Sequence, residues 1–288
     1  MTWPLSLCTS CSPWLPVEQL MPVCAAAGIT GLDVAVKAHR FDPAKPINCW
    51  ANNAAVVDQD RLEERLPSLK AAFQQYGLSC RMLSSYTRSD QLAEAKRLAA
   101  AAVALNSPEV RIGVPVPQAG KASAQVQEAR SNWRELAAIG KAHGIRFVLE
   151  LHNRTITTGA SGAMRVLEGL DPAHVGVIFD IANTAIEGNE PLPVAIELLG
   201  PYMTHVHVKD LVLQQSTLWH GCDYGMASLG HGSMRWAECL RILREKGYTG
   251  WLALENFADL DRGPTRLAED AAWLRARIAE SQIAQPAS

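Results

Sequence analysis

Apolar and polar positions along this chain follow two alternating periods. Short, nearly continuous apolar runs recur at Leu5–Thr9, Gly31–Val36, Ser79–Ser84, Glu109–Val114, Arg146–His152, Val175–Asp180, Met203–Asp210 and Gly250–Glu255. Runs of this length, without strict alternation, suit parallel strands covered on both faces. Between them apolar residues fall at helical spacing. Leu62, Leu66, Leu69 and Phe73 form one such stripe, with Gly77 placed to end the helix and Pro67 as an interruption. Trp236, Leu240 and Leu243 form a second after Gly232-Ser233, and Leu267, Ala271, Leu274 and Ile278 a third after Pro264. Eight strand–helix units joined by right-handed crossovers predict an α/β fold, a single (β/α)8 TIM barrel. The expected organisation is one catalytic barrel over residues 1–281 and a flexible C-terminal tail at 282–288, and 288 residues suit that reading.

Composition narrows the class. No Gly-x-Gly-x-x-Gly follows the first strand and no Walker-type loop occurs, which removes the main support for a nucleotide-binding open sheet. With 27 basic against 29 acidic residues the formal charge is −2, so there is no global attraction to nucleic acid or an anionic membrane. No run approaches the ~18 apolar residues of a membrane span. The seven cysteines are odd in number and scattered, which reads as a reduced, cytoplasmic chain rather than a secreted disulfide framework. Cys8 and Cys11 form a C-x-x-C with no second pair, and core packing is expected of them. Met1–Leu20 is apolar but lacks a basic region and holds three prolines, so it reads as the first strand and its loop rather than a signal peptide. A small, neutral or mildly polar molecule is the expected partner, and association into a homo-oligomer is compatible with a surface on which nothing marks an interface.

The chemistry lies at strand ends. Glu150, Asp180, His207 and Glu255 close or lie near the ends of four successive predicted strands, where a parallel barrel would bring them together on one face. A carboxylate ending an apolar strand needs a partner, and one divalent cation would compensate three of them at once. Strand parity places Glu150 with His152, and His205 with His207 and Lys209, on common sides. Lys209 would then stand at the barrel mouth, holding a substrate oxygen or pairing with Asp210 or Asp180, while His152 touches substrate or orients a ligand. Long strand-to-helix connections at roughly 10–16, 37–58 and 211–229 fall on the same face. Trp50 lies in the second and Trp219 in the third, as aromatics suited to stacking on the apolar face of a sugar ring.

The strings Leu149-Glu150-Leu-His152, Phe179-Asp180-Ile-Ala-Asn183, His205-Val-His207-Val-Lys209-Asp210, Leu229-Gly230-His-Gly232 with Trp236, and Leu254-Glu255-Asn-Phe257 resemble successive signatures of the xylose isomerase-like TIM-barrel family of sugar isomerases and epimerases. Gly31-Leu-Asp33 resembles that family's second strand, with Asp33 where Glu is common. The resemblance implies that Glu150, Asp180, His207 and Glu255 bind a divalent metal and that Glu150 and Glu255 also move the proton. Oxygen-rich ligation with one imidazole suits Mn2+ or Mg2+, with Co2+ or Zn2+ as alternatives. The chain departs from the family's ketose epimerases at Asn183, where they carry His, at Leu213, where they carry Arg, and at His231, where Glu is usual. Asn183 and His231 are therefore carried as substrate contacts particular to this chain.

The expected reaction is proton abstraction next to a carbonyl of a keto-sugar or related polyol through an enediolate, with reprotonation giving an isomerase or epimerase. The alternative is a dehydratase or lyase of the same superfamily, in which the enolate of a keto-inositol, dehydroshikimate-like or keto-glycoside substrate expels a β leaving group.

Overall fold

A computed structural model describes residues 3–188, 190–215 and 222–283. Eight strands form a closed parallel barrel: β1 (Leu5–Cys8), β2 (Gly31–Lys37), β3 (Ser79–Arg88), β4 (Glu109–Gly113), β5 (Arg146–Glu150), β6 (Val175–Asp180), β7 (Met203–Val208) and β8 (Trp251–Leu254). Closure comes from β1, which pairs in parallel with β2 through Ser6↔Gly31 and with β8 through Leu5↔Leu252. Neighbours along the chain are neighbours in the barrel throughout, as expected of sequential right-handed βα units.

A helix crosses between successive strands, and one follows β8: α1 (Val17–Ala26), α2 (Leu62–Tyr76), α3 (Leu92–Ala104), α4 (Ala122–His143), α5 (Ala160–Leu167), α6 (Leu192–Leu199), α7 (Trp236–Glu245) and α8 (Arg266–Ile283). Each lays an apolar stripe on the barrel. In α4 the stripe is Val126, Ala129, Trp133, Leu136 and Gly140; in α7 it is Trp236, Cys239, Leu240 and Leu243. Gly77 ends α2 at φ +64°, a left-handed conformation that costs glycine little. Pro67 does not break α2, which runs through it; the lost amide bond falls in the second turn and Leu69, Ala72 and Phe73 stay buried on the barrel side.

Two departures from the sequence reading affect the site. β3 continues to Arg88, whereas β5 and β7 stop at Glu150 and Val208, so His152, Lys209 and Asp210 lie just beyond their strands. The connection after β7 contains an antiparallel hairpin, Asp210–Gln215 with Cys222–Ala227. Leu211 anchors it by packing on Ala182 and Ile186, with Leu213 and Tyr224 against the same cluster. Among the described residues no helix is long and apolar enough to cross a membrane. Cys8, Cys11, Cys24, Cys49, Cys80 and Cys239 are buried and unpaired.

Candidate active site

Alternation along the strands turns Glu150, Asp180, His207 and Glu255 into the barrel, and all four are buried. His207 Nδ1 lies 3.4 Å from Glu150 Oε1, 3.4 Å from Glu255 Oε2 and 3.9 Å from Asp180 Oδ2. One donor atom from each of the four falls within 4.8 Å of the others. Bonds of about 2.1 Å would put neighbouring ligands roughly 3.0–3.4 Å apart, so the set fits a single small divalent cation without rearrangement of the strands. Neither nitrogen of His207 has a hydrogen-bond partner among the described residues, so a cation at Nδ1 would have only a proton to displace.

Asp180 has a second task. Its Oδ1 accepts the Asn183 amide N–H at 2.9 Å and caps the short turn Ile181–Asn183. The Asn183 side-chain nitrogen donates to Asp180 Oδ2 at 2.7 Å and to Glu150 Oε1 at 3.4 Å, so Asn183 bridges two members of the cluster. Lys209 Nζ contacts Asp180 Oδ2 at 2.5 Å and Glu255 Oε2 at 3.1 Å. It does not pair with Asp210, whose carboxylate accepts the backbone N–H groups of Leu211, Gly230, Gly232 and Met234 and so shapes the loop at 228–234.

The charges set one another's protonation. Burial pushes the Asp180 carboxyl up to about 6; Glu255 and Glu150 add to this, while Lys209 opposes it. For Glu255, burial is outweighed by Lys209 and His207, which lower it to about 2. Burial is outweighed for Glu150 as well, chiefly by the Arg111 guanidinium and then by His207, which hold it well below the usual carboxylate range. The His207 ring is driven well above its ordinary value because Glu255 and Glu150 overcome the effect of burial.

Arg111 is the residue that sequence reasoning missed. From β4 its Nε donates to Glu150 Oε2 at 2.7 Å and its Nη1 to the Ser85 carbonyl at 2.8 Å. The signal lay in the period-2 placement of Glu109, Arg111 and Gly113 between buried Val110 and Ile112. Glu150, Lys209, Glu255, His152 and Asn183 line a pocket of about 230 Å³ with Arg111, Tyr86, Tyr224 and Phe257. Trp50 is 51% exposed and packs on Phe257 with ring centroids 4.7 Å apart, so it stands at the rim. His152 Nδ1 lies 2.7 Å from the Asn153 carbonyl; as a donor there, it leaves the Nε2 lone pair free. His231 is exposed on its turn and is not among the pocket-lining residues. Trp219 lies outside the described residues. A larger cavity, about 480 Å³, opens at the opposite end of the barrel beside Arg81, Glu109 and Arg146, and holds none of the four convergent groups.

The sequence model of the family described as xylose isomerase-like TIM barrel matches residues 22–277. Inosose dehydratase of Lacticaseibacillus casei is 26% identical over 125 residues, covering 40% of this chain and 42% of the relative. The chain thus spans about two fifths of the length of the curated relatives it matches. Among solved structures, 3-keto-D-glucoside 4-epimerase from E. coli superposes with a TM-score of 0.71 at 16% identity, covering 96% of this chain and 100% of that one. A xylose isomerase-like TIM barrel protein from Mycobacterium smegmatis in complex with magnesium gives 0.63 at 18% identity, covering 97% and 98%. At these identities the superpositions show a shared fold.

Proposed function

The chain belongs to the xylose isomerase-like TIM-barrel family, and from that membership we propose that it is a divalent-metal-dependent isomerase or epimerase that enolises a keto-sugar or related polyol. One observation carries the proposal: three carboxylates and an imidazole converge, buried, and two of them, Glu150 and Glu255, line a small pocket at the C-terminal mouth of the barrel. Glu150, Asp180, His207 and Glu255 would hold the cation, Mn2+ or Mg2+ by the donor set. When bound, it supplies Lewis acidity that stabilises negative charge developing on a substrate oxygen.

The chain's own groups then divide the work. All polar contacts of Glu255 fall on Oε2, so among the described residues Oε1 is the oxygen able to take a proton from a carbon in the pocket or return one to it. Glu150 faces the same space from β5 and is the second proton-transfer group. Lys209 holds a ketone or hydroxyl oxygen, Asn183 and His152 contact hydroxyls, and Trp50 covers an apolar ring face.

Arg111 favours a second reading. By clamping Glu150 Oε2 it weakens that carboxylate as a base, and base catalysis on that wall passes to the free Nε2 of His152. A substrate with a leaving group β to its carbonyl would then undergo elimination, as in a dehydratase of a keto-inositol or dehydroshikimate-like compound or a lyase of a keto-glycoside.

Proton NMR in D2O with Mn2+- or Mg2+-loaded protein and a panel of ketoses, keto-inositols and keto-glycosides tests both. Deuterium entering the carbon next to the carbonyl with an intact skeleton, and lost in Glu255→Gln, supports the isomerase or epimerase. Release of water or aglycone supports the lyase, and no exchange with any substrate would remove the enolising reaction.

A further inference from the structure

Lys209 places a cation of the chain's own among the candidate ligands. Its backbone is fixed just beyond β7, where the Lys209 carbonyl accepts the indole N–H of Trp236 at 3.0 Å. From there the ammonium reaches Asp180 Oδ2 at 2.5 Å and Glu255 Oε2 at 3.1 Å. The same two oxygens face His207, 3.9 and 3.4 Å from its Nδ1.

Lone pairs decide what this arrangement leaves for a divalent ion, since an ionised carboxylate offers two on each oxygen. Among the described residues Glu255 Oε2 accepts one hydrogen bond, from Lys209, while Glu150 Oε1 and Oε2 accept one each, from Asn183 and Arg111. Asp180 Oδ2 accepts two, from Lys209 and from the Asn183 side chain at 2.7 Å, and Oδ1 is taken up in capping the turn through the Asn183 amide. The oxygen that Asp180 turns to His207 is therefore full, and a cation reaches it only when one donor leaves. Asn183 is neutral and is tethered to the Leu151 carbonyl and Glu150 as well. Lys209 is charged, so a cation on a shared oxygen repels it, and its ammonium contacts are to Asp180 and Glu255 alone.

Resting on the metal-binding reading above, we propose that Lys209 is a resident counter-ion which a divalent cation displaces from Asp180, and that the displaced ammonium becomes the group that holds a substrate oxygen. The flexible four-carbon stem swings on a backbone that Trp236 keeps in place, and Lys209 already lines the pocket beside Asn183, Tyr86 and Tyr224. Its ammonium is free for substrate only in the loaded protein, because Nζ cannot serve a substrate oxygen while it neutralises Asp180.

Two measurements test this. Lys209→Met is expected to bind Mn2+ about 5–150-fold more tightly than wild type by calorimetry, because the competitor is gone. In wild-type crystals grown in EDTA and then soaked in Mg2+, Nζ is expected to move out of hydrogen-bond range of Asp180 Oδ2 as the ion enters. Lys209→Met binding Mn2+ no more tightly than wild type, or an Nζ that stays on Oδ2 with the ion bound, would overturn the inference and leave the metal reading standing. A wild type that binds neither ion would overturn both. The crystal measurement uses wild-type protein, so it decides the matter even if Lys209→Met does not fold.

Discussion

Replacing Arg111 with Met should destabilise the protein through the charge it leaves behind on Glu150. The guanidinium is buried at 14% side-chain exposure against 6% for Glu150, with Nε 2.7 Å from Oε2, so the pair sits where water cannot substitute for either partner. Removing one member of such a pair costs about 3–5 kcal/mol, most of it the penalty of an uncompensated buried charge. In a chain of this size about 1 kcal/mol corresponds to roughly 2 °C, which gives a fall in Tm of roughly 6–10 °C. Melting curves in EDTA read this without any contribution from a bound ion. Two further results follow from the same cause. The double variant Arg111→Met, Glu150→Gln should regain at least half of the loss, because no charge is stranded. The deficit of the single variant should also shrink as pH falls, because Glu150, no longer held low by Arg111, can take up a proton. A single variant within about 1 kcal/mol of wild type, or a double variant no better than the single, would refute the claim that Arg111 neutralises Glu150 in a water-poor site.

Metal affinity should depend on pH through Asp180, whose carboxyl burial and its neighbours push up to about 6. The ligating forms are the ionised carboxylate and the neutral ring, and His207 is itself held well above its ordinary value, so Mn2+ association measured by calorimetry should keep rising with pH above 7 and should fall more steeply, by about a further tenfold per pH unit, below 6; affinity independent of pH between 5 and 7 would contradict this. Glu109 is lowered to about 2, as Arg81 and His205 outweigh burial. A depressed carboxyl contributes stability that is complete above its unfolded value and lost as pH falls through the folded one, so wild type should lose up to a few kcal/mol between about pH 5 and 2. Glu109→Gln should start less stable at pH 7 and show a flatter acid limb in denaturant titrations. Gly232→Ala would place a Cβ 2.1 Å from Asp210 Oδ1 and 2.5 Å from the Leu211 carbonyl, and should cost about 1–3 kcal/mol by thermal melting as the loop around Asp210 reopens.

What could be read before the structure was whatever repeats locally. Apolar runs of five to eight residues marked all eight strands because both faces of each are covered, and carboxylates ending such runs stood out because an apolar strand gives them no partner. Parity placed His205, His207 and Lys209 on one side, and although β7 stops at Val208 all three reach acidic groups inside the barrel, Asp33, Glu255 and Asp180 respectively. Arg111, Asp33 and Glu109 went unassigned because their partners are distant in sequence: Arg111 meets Glu150 across 39 positions, and Asp33 meets His205 from β2 to β7. The hairpin after β7 was hidden for a similar reason. Its strands are stabilised by Leu211 packing on Ala182 and Ile186, a contact that local pattern does not reveal. His231 stood out by its residue type, yet its turn is organised from Asp210 and leaves the ring in solvent.

The most direct test of the account is anomalous diffraction from crystals soaked in Mn2+. One peak is expected at the C-terminal mouth, with Glu150, Asp180, Glu255 and Nδ1 of His207 each about 2.0–2.3 Å away, and it should vanish in His207→Ala. No ordered ion, or an ion bound instead to Asp33 and His205 or in the cavity beside Arg81, would contradict the assignment of the four strand-end groups as the metal site.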